Sequence, residues 1–103
     1  MTEQFILGYI PERIRKLGYS KYHIRYKDLN IPPSATMVFA AYNELYFVIG
    51  DPVDISIESS YGVYDTTGDP TTSNVHEHRG EITVANRVDE ARQVKFVQVI
   101  IVN

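Results

Sequence analysis

The sequence predicts a mainly β protein: an antiparallel β-sandwich or small barrel with one short N-terminal helix. From Tyr19 onward, apolar and polar residues alternate with the period of a β-strand, and turn residues recur roughly every 8 to 12 positions. Helical segments that could connect parallel strands are lacking. The length of 103 residues is typical of one domain. We therefore expect a single β domain over 1–103.

The helix is predicted over 11–17. Pro11 suits the first helical position, and Gly18 follows the last turn. A proline inside a helix loses one backbone hydrogen bond and clashes with the preceding turn. The segment 5–10 is therefore predicted to be extended.

The strand predictions rest on alternation and on turn residues. Tyr42 and Asn43 are predicted to form a hairpin turn between the second and third strands, since Asn tolerates a positive φ. In the fourth strand, Ile55 and Ile57 are expected to point inward and the polar residues outward, with 62–64 extending it past a bulge. The strands are predicted over 22–27, 36–41, 44–49, 54–59, 81–85 and 93–102.

The connection 65–75 is rich in Thr, Ser, Asp, Gly and Pro and offers almost no apolar anchor. We expect it to be the most mobile part of the chain. Limited proteolysis should cut there first.

Several classes of protein are excluded by composition. The chain has no cysteine, which removes disulfides, thiolate nucleophiles and cysteine zinc sites. Its apolar runs are far shorter than the roughly 20 residues of a membrane helix. No leader is recognisable at the N-terminus. The expected location is cytoplasmic, or extracellular if a signal peptide has been removed.

The three histidines of the chain are candidate metal ligands. His76 and His78 are separated by one residue, so on a strand they project from the same face and can share an ion. A third ligand is required, and His23, Asp65 or Asp69 supply it only if the fold brings them close. The favoured interpretation is that the pair lies at the rim of the core as hydrogen-bonded aromatics. We therefore expect no metal and no cofactor.

Charge is distributed unevenly along the chain. Residues 1–30 carry six Lys/Arg and three acids, whereas 31–69 carry six acids and no base. Cations interleaved with tyrosines are typical of single-strand nucleic-acid binders. In the first strand, however, the period of two sends Tyr22 and Tyr26 inward, opposite Arg25. Together with the acidic pI of about 5.5, this argues against nucleic acid as a partner.

The chain contains eight tyrosines and no tryptophan. Tyr42, Tyr61 and Tyr64 lie near predicted loops and are the candidates for exposed contacts. A β-sandwich that presents aromatic rings on loops suits carbohydrate binding. This defines the first alternative function, a carbohydrate- or ligand-binding module; a small metal-dependent β-barrel protein using His76 and His78 is the second.

No catalytic machinery is recognisable in the sequence. There is no G-x-S-x-G element and no phosphate-binding glycine loop. Paired carboxylates cannot be assigned as acid and base without geometry. We therefore do not expect an enzyme.

Two predicted strand segments, 45–49 and 94–102, are apolar on both faces, whereas a strand in a small domain normally turns one face to water. An uncovered apolar face is typical of an interface, and closed homo-oligomers are its commonest outcome. The sequence thus predicts a non-catalytic module that acts through protein contacts, as a homo-oligomer or a component of a larger assembly. A small barrel or the segment 5–10 covering the second face is the alternative. The predicted interface residues are Val97, Val99, Ile101, Tyr46 and Val48.

Overall fold

The computed structural model describes residues 2–50, 52–66 and 74–102. Within these ranges the elements are α1 (Glu3–Lys16), β1 (Lys21–Ile31), β2 (Thr36–Ile49), β3 (Ile55–Ser59), β4 (Gly62–Asp65), β5 (Glu77–Asn86) and β6 (Arg92–Val102). The strands form a single antiparallel sheet in the order β1-β6-β2-β5-β3-β4. The predicted class, mainly antiparallel β with one N-terminal helix, is confirmed, and the described strands do not close into a barrel.

Helix α1 is longer than predicted and continues through Pro11, so the prediction of an extended segment 5–10 is wrong. Full burial of an isoleucine side chain contributes about 1.5–3 kcal/mol. Together, three such side chains outweigh the cost of about 3 kcal/mol for an internal proline. Pro11 and Leu7, whose carbonyl loses its helical partner, both lie on the exposed side. The buried isoleucines, spaced four apart, are Ile6, Ile10 and Ile14.

Replacing Pro11 with alanine is expected to stabilise the protein by about 1–2 kcal/mol, because the new N–H can bond the Leu7 carbonyl. Part of the gain is offset by the greater freedom of the unfolded chain. Urea denaturation measures the change. Pro33→Ala, in the exposed turn after β1, is the matched control and should be neutral or slightly destabilising. A loss of stability in Pro11→Ala as large as in Pro33→Ala would contradict this account.

Strand β2 replaces the two strands and the hairpin turn predicted at Tyr42 and Asn43. Its register with β5 shifts between Ala41 and Tyr46. Residues 36–41 pair with β5 before this shift, and Tyr46 and Phe47 pair with β5 after it. Glu44–Ile49 also pair with β6. The chain therefore bulges and continues in the same direction instead of turning back.

The hairpin of β3 and β4 differs from the predicted single strand. Residues 60–61 reverse the chain, so 62–64 pair antiparallel with β3 instead of extending it. Ile55 and Ile57 are buried, as predicted. Ser56 is buried too, although it lies on the same face of β3 as the exposed Glu58.

The two faces of the sheet are covered within one chain. On one face α1 packs over β2 and β6, and Val97, Val99 and Ile101 are buried beneath it. On the other face a single apolar cluster contains residues from all six strands. The sheet curves around this cluster, which makes this the concave face, and encloses Tyr46 and Val48. All five residues predicted as an interface are therefore buried inside the fold. The prediction of an intermolecular contact at these positions is wrong.

The Asn86 side chain forms hydrogen bonds where β5 approaches the end of β1. Its amide nitrogen donates to the carbonyl oxygens of Ile31, Pro32 and Glu90 at 3.3, 3.1 and 2.6 Å. Its side-chain oxygen accepts from the Val88 N–H at 3.1 Å. Because β5 and β1 are not neighbours in the sheet, these bonds hold its two halves around the apolar cluster.

A bidentate ion pair holds α1 on the sheet. The Arg13 guanidinium donates to both carboxylate oxygens of Glu77, each at 2.8 Å. The hydrogen bond to Glu77 raises the pKa of Arg13, which stays charged. The pair fixes the helix against the start of β5.

Part of the predicted mobile connection 65–75 lies outside the described residues, namely 67–73, and with it Asp69. Its mobility therefore stays a prediction.

The helix in the described ranges does not have the length and hydrophobicity that a membrane span requires.

Candidate functional site

A groove of about 450 Å³ opens on the outer face of β5 and β3. The register sets Thr83 opposite Glu58, between the buried neighbours Ile57, Ile82 and Val84 along the same strands. Side chains alternate across a sheet, so these polar groups point away from the core. Six residues surround the floor at Gly80: Tyr42, Glu58, Ser59, Ser60, Glu81 and Thr83.

The groove forms where the strand pairing is irregular. Gly80 has φ +84°, a conformation that side-chain-bearing residues rarely adopt. It lies opposite Ala41, at the start of the β2 register shift. Arg79 donates from Nε to the Tyr42 carbonyl at 2.9 Å and holds the bulged strand in place. Bulges of this kind often occur beside binding sites, where they redirect a side chain.

The three tyrosines predicted as exposed contacts differ in their exposure to solvent. Tyr42 is 64% exposed and lines the groove. Tyr61 is 37% exposed and follows the groove residue Ser60. Tyr64 is buried, with its ring packed edge-on to His76 at 5.0 Å, so its prediction as a surface contact is wrong. Its position in a short paired strand turns it toward the core.

Ser59 was not singled out from the sequence, yet it joins the groove to a buried histidine. The Nε2–H of His78 donates to the Val75 carbonyl at 2.8 Å, because a carbonyl oxygen can only accept. The other ring nitrogen, Nδ1, then accepts from the Ser59 hydroxyl at 2.7 Å. The Tyr61 N–H donates to the same hydroxyl oxygen at 3.2 Å. The shared face of His78, Ile82 and Val84 was the signal for this burial.

His78 holds the Ser59 side chain in position. His78 is fully buried, and burial is the main cause that lowers its pKa, so the ring is neutral near pH 7. Its Nε2–H is bound to the Val75 carbonyl and its Nδ1 to the Ser59 hydroxyl, so the buried ring contacts the groove through Ser59. We therefore assign His78 to positioning Ser59 at the groove.

The histidines do not form a metal centre with other side chains in the part of the chain that the structure describes, where no three His, Cys, Asp or Glu groups are placed to share an ion. His78 uses both ring nitrogens in hydrogen bonds. His76 packs against Tyr64, and His23 lies on β1, opposite Ile100. The two-histidine site considered from the sequence is therefore not assembled by these residues.

Strand β1 forms one edge of the sheet and presents side chains that were predicted to be inward. Ile24 is 38% and Tyr26 is 56% exposed, whereas Tyr22 packs against the helix-side cluster. The reason is that α1 lies over β2 and β6, and β1 extends beyond them. Glu3 is a hydrogen-bond partner of Tyr26 and raises its pKa. The Tyr26 hydroxyl thus points toward the start of α1, while the Tyr26 ring faces solvent.

The cations of β1 occupy the opposite face, as predicted. The cations Lys21 and Arg25 are exposed, and the His23 side chain lies exposed between them. Lys27 is half-buried, with Nζ 5.3 Å from the centre of the Phe39 ring. The edge strand therefore combines an exposed basic face with a partly apolar one.

Comparison with known proteins does not extend this description: no family model matches the chain, and neither a curated protein nor a solved structure is detectably similar to it. Among the described residues, the groove at Gly80 and the edge strand β1 are the two candidate binding surfaces.

Proposed function

We propose that the protein is a non-catalytic binding module that takes up an extended, acidic segment of a partner protein along the edge of β1. The observation that carries the proposal is the eleven-residue length of β1 and its pairing, among the described strands, with β6 alone. An edge strand exposes unpaired N–H and C=O groups that can bond an added strand.

The opposite edge of the sheet is a poorer site. Strand β4 has four residues, and the chain that follows covers it. The Val75 N–H donates to the Val63 carbonyl at 2.9 Å, and the Asp65 N–H donates to the Asn74 side-chain oxygen at 2.9 Å. These bonds occupy groups that an added strand would need, so β1 is the favoured edge.

The side chains of β1 indicate the chemistry of the partner. A strand added to β1 places alternate residues beside the exposed cations and the others beside Ile24 and Tyr26. Acidic side chains suit the first face because opposite charges across neighbouring strands stabilise a sheet. Apolar side chains suit the second face. The partner segment thus alternates acidic and apolar residues.

Pairing of β1 with a second copy of itself is disfavoured by charge. A two-fold axis through the sheet sets residues of the same face opposite each other. Centred on Ile24, this pairing opposes Lys21 to Lys27. Centred one residue later, it opposes Arg25 to its own copy. Like charges directly opposite are destabilising, which favours a different, acidic chain over the homo-oligomer.

The proposal is tested with a synthetic peptide of alternating Glu and Val. We expect it to bind with an affinity in the micromolar range and to protect the amides of β1 from hydrogen exchange. Arg25→Glu should weaken binding by about tenfold or more, since it puts a like charge beside the peptide. Arg15→Glu, on the exposed side of α1, is the matched charge control and should bind as the unmodified protein does.

Three results would contradict the proposal. One is the absence of peptide binding at about 1 mM. Another is an equal loss of affinity in Arg15→Glu, which would indicate general attraction of charge. The third is tighter binding of a single-stranded oligonucleotide than of the peptide, which would make the basic strand a nucleic-acid surface.

A further inference from the structure

We infer that the groove at Gly80 binds a neutral saccharide, with Tyr42 as the stacking platform. This site is separate from the β1 edge and does not depend on the function proposed there. It shares with the sequence-based ligand hypothesis the exposed Tyr42, but it draws its polar groups from β3 and β5.

The ring of Tyr42 and the absence of a side chain at Gly80 shape the groove. A Cβ on Gly80 would lie 3.8 Å from Cε1 of Tyr42 and 3.9 Å from Oγ of Ser60. Glycine thus leaves the space between the ring and the hydroxyl open. A sugar ring has an apolar C–H face that can pack on an aromatic ring while its hydroxyls meet polar groups at the rim.

The polar groups around the ring are mostly hydrogen-bond acceptors. Glu58 and Glu81 are exposed and form no ion pair within the described residues. A carboxylate can accept from two or more donors, which matches adjacent sugar hydroxyls. The hydroxyls of Ser60 and Thr83 add groups that both donate and accept.

The groove is held in shape before any ligand arrives. Ser59 is fixed by the buried His78 at 2.7 Å, and the Arg79 bond of 2.9 Å holds the Tyr42 backbone. A site whose groups are already positioned loses less entropy on binding. A saccharide uses the aromatic face, the hydroxyls and the carboxylates together. A cationic ligand, which would pair with the carboxylates and the ring, is the alternative that the titration below includes.

The test is a titration of the whole protein with neutral hexasaccharides, one series each of glucose, xylose, mannose and galactose units, followed by amide NMR. We expect at least one series to bind with a dissociation constant of about 0.1–1 mM and to shift the resonances of Tyr42, Gly80 and Glu81. Tyr42→Ala should weaken that binding about tenfold or more, whereas Tyr42→Phe should keep most of it. Glu81→Gln should weaken it while preserving the shape of the groove.

Tyr26→Ala is the matched control, because Tyr26 is also an exposed tyrosine but lies on β1. Its saccharide affinity should be unchanged. The inference is overturned if no hexasaccharide binds at about 10 mM, if Tyr26→Ala loses as much affinity as Tyr42→Ala, or if trilysine binds the groove in place of every sugar. Peptide binding at β1 is unaffected by any of these outcomes, so the two proposals fail separately.

Discussion

Phe96→Ala is expected to lower the free energy of unfolding by about 3–5 kcal/mol. Phe96 is completely buried in the cluster on the concave face. Its ring meets those of Tyr46 and Phe39 edge-on, with centroids 5.5 and 6.4 Å apart. Removing it leaves a cavity that strands fixed by their hydrogen bonds cannot fill. Since domains of this size are stable by about 5–15 kcal/mol, the variant should lie close to unfolding.

Urea denaturation measures this effect. If the free energy of unfolding falls with urea concentration at the same slope in the variant and in the unmodified protein, the two have the same unfolded state. Phe5→Ala is the matched control, because Phe5 is exposed on α1 and stacks on Tyr9 at 6.3 Å. Its loss should stay below about 1 kcal/mol. Similar losses in the two variants would show that the concave face does not form the core described.

His78→Ala is expected to cost about 2–4 kcal/mol, through a buried cavity and the loss of two hydrogen bonds. The Ser59 hydroxyl loses its acceptor and the Val75 carbonyl its donor. His23→Ala is the control, since His23 is exposed on β1 and should change stability by less than about 0.5 kcal/mol. Equal effects of the two substitutions would rule out a supporting role for His78.

His78 also makes stability depend on pH. Burial, helped by the neighbouring His76, lowers its pKa from 6.5, against the opposing influence of the Val75 carbonyl and Glu77. The unfolded chain therefore binds a proton more readily than the folded one as the pH falls below 6.5. The contribution of His78 is complete above that pH, declines as the pH falls toward its folded pKa, and is constant below that value.

Denaturation of the unmodified protein at about pH 8 and about pH 5 should thus show a loss at the lower pH. In His78→Ala this loss should be smaller, because the carboxylates titrate alike in both proteins and His78 no longer contributes. The same pH dependence in both proteins would assign the effect to other groups.

The strands could be predicted from the sequence because alternation is a local property. Ile55 and Ile57 already identify an inward face, and the repeated pattern identifies a mainly antiparallel β domain with one helix near its start. His78 could be assigned to the core face because it shares the alternation of Ile82. These inferences need no knowledge of which strand pairs with which.

The errors arose where a distant contact outweighs a local preference. Pro11 locally opposes a helix, but burial of Ile6 and Ile10 under α1 offsets that cost. Tyr42 and Asn43 suit a turn, yet pairing with β6 beyond the bulge keeps the chain extended. Val97 is apolar in either setting, whether it is covered by another chain or by its own helix.

The sequence by itself determined the class of the fold, the presence of a helix near its start, most of its strands and the exposure of the cations on β1. Tertiary structure alone decided that the sheet curves around its own core, that β1 is an edge strand among the described strands, and that Tyr42, Glu58 and Glu81 surround one groove. The register and curvature of the sheet depend on contacts between residues far apart in the chain, and the local alternation of residues does not specify these contacts. Surfaces built from several strands therefore emerge only when those strands are placed side by side.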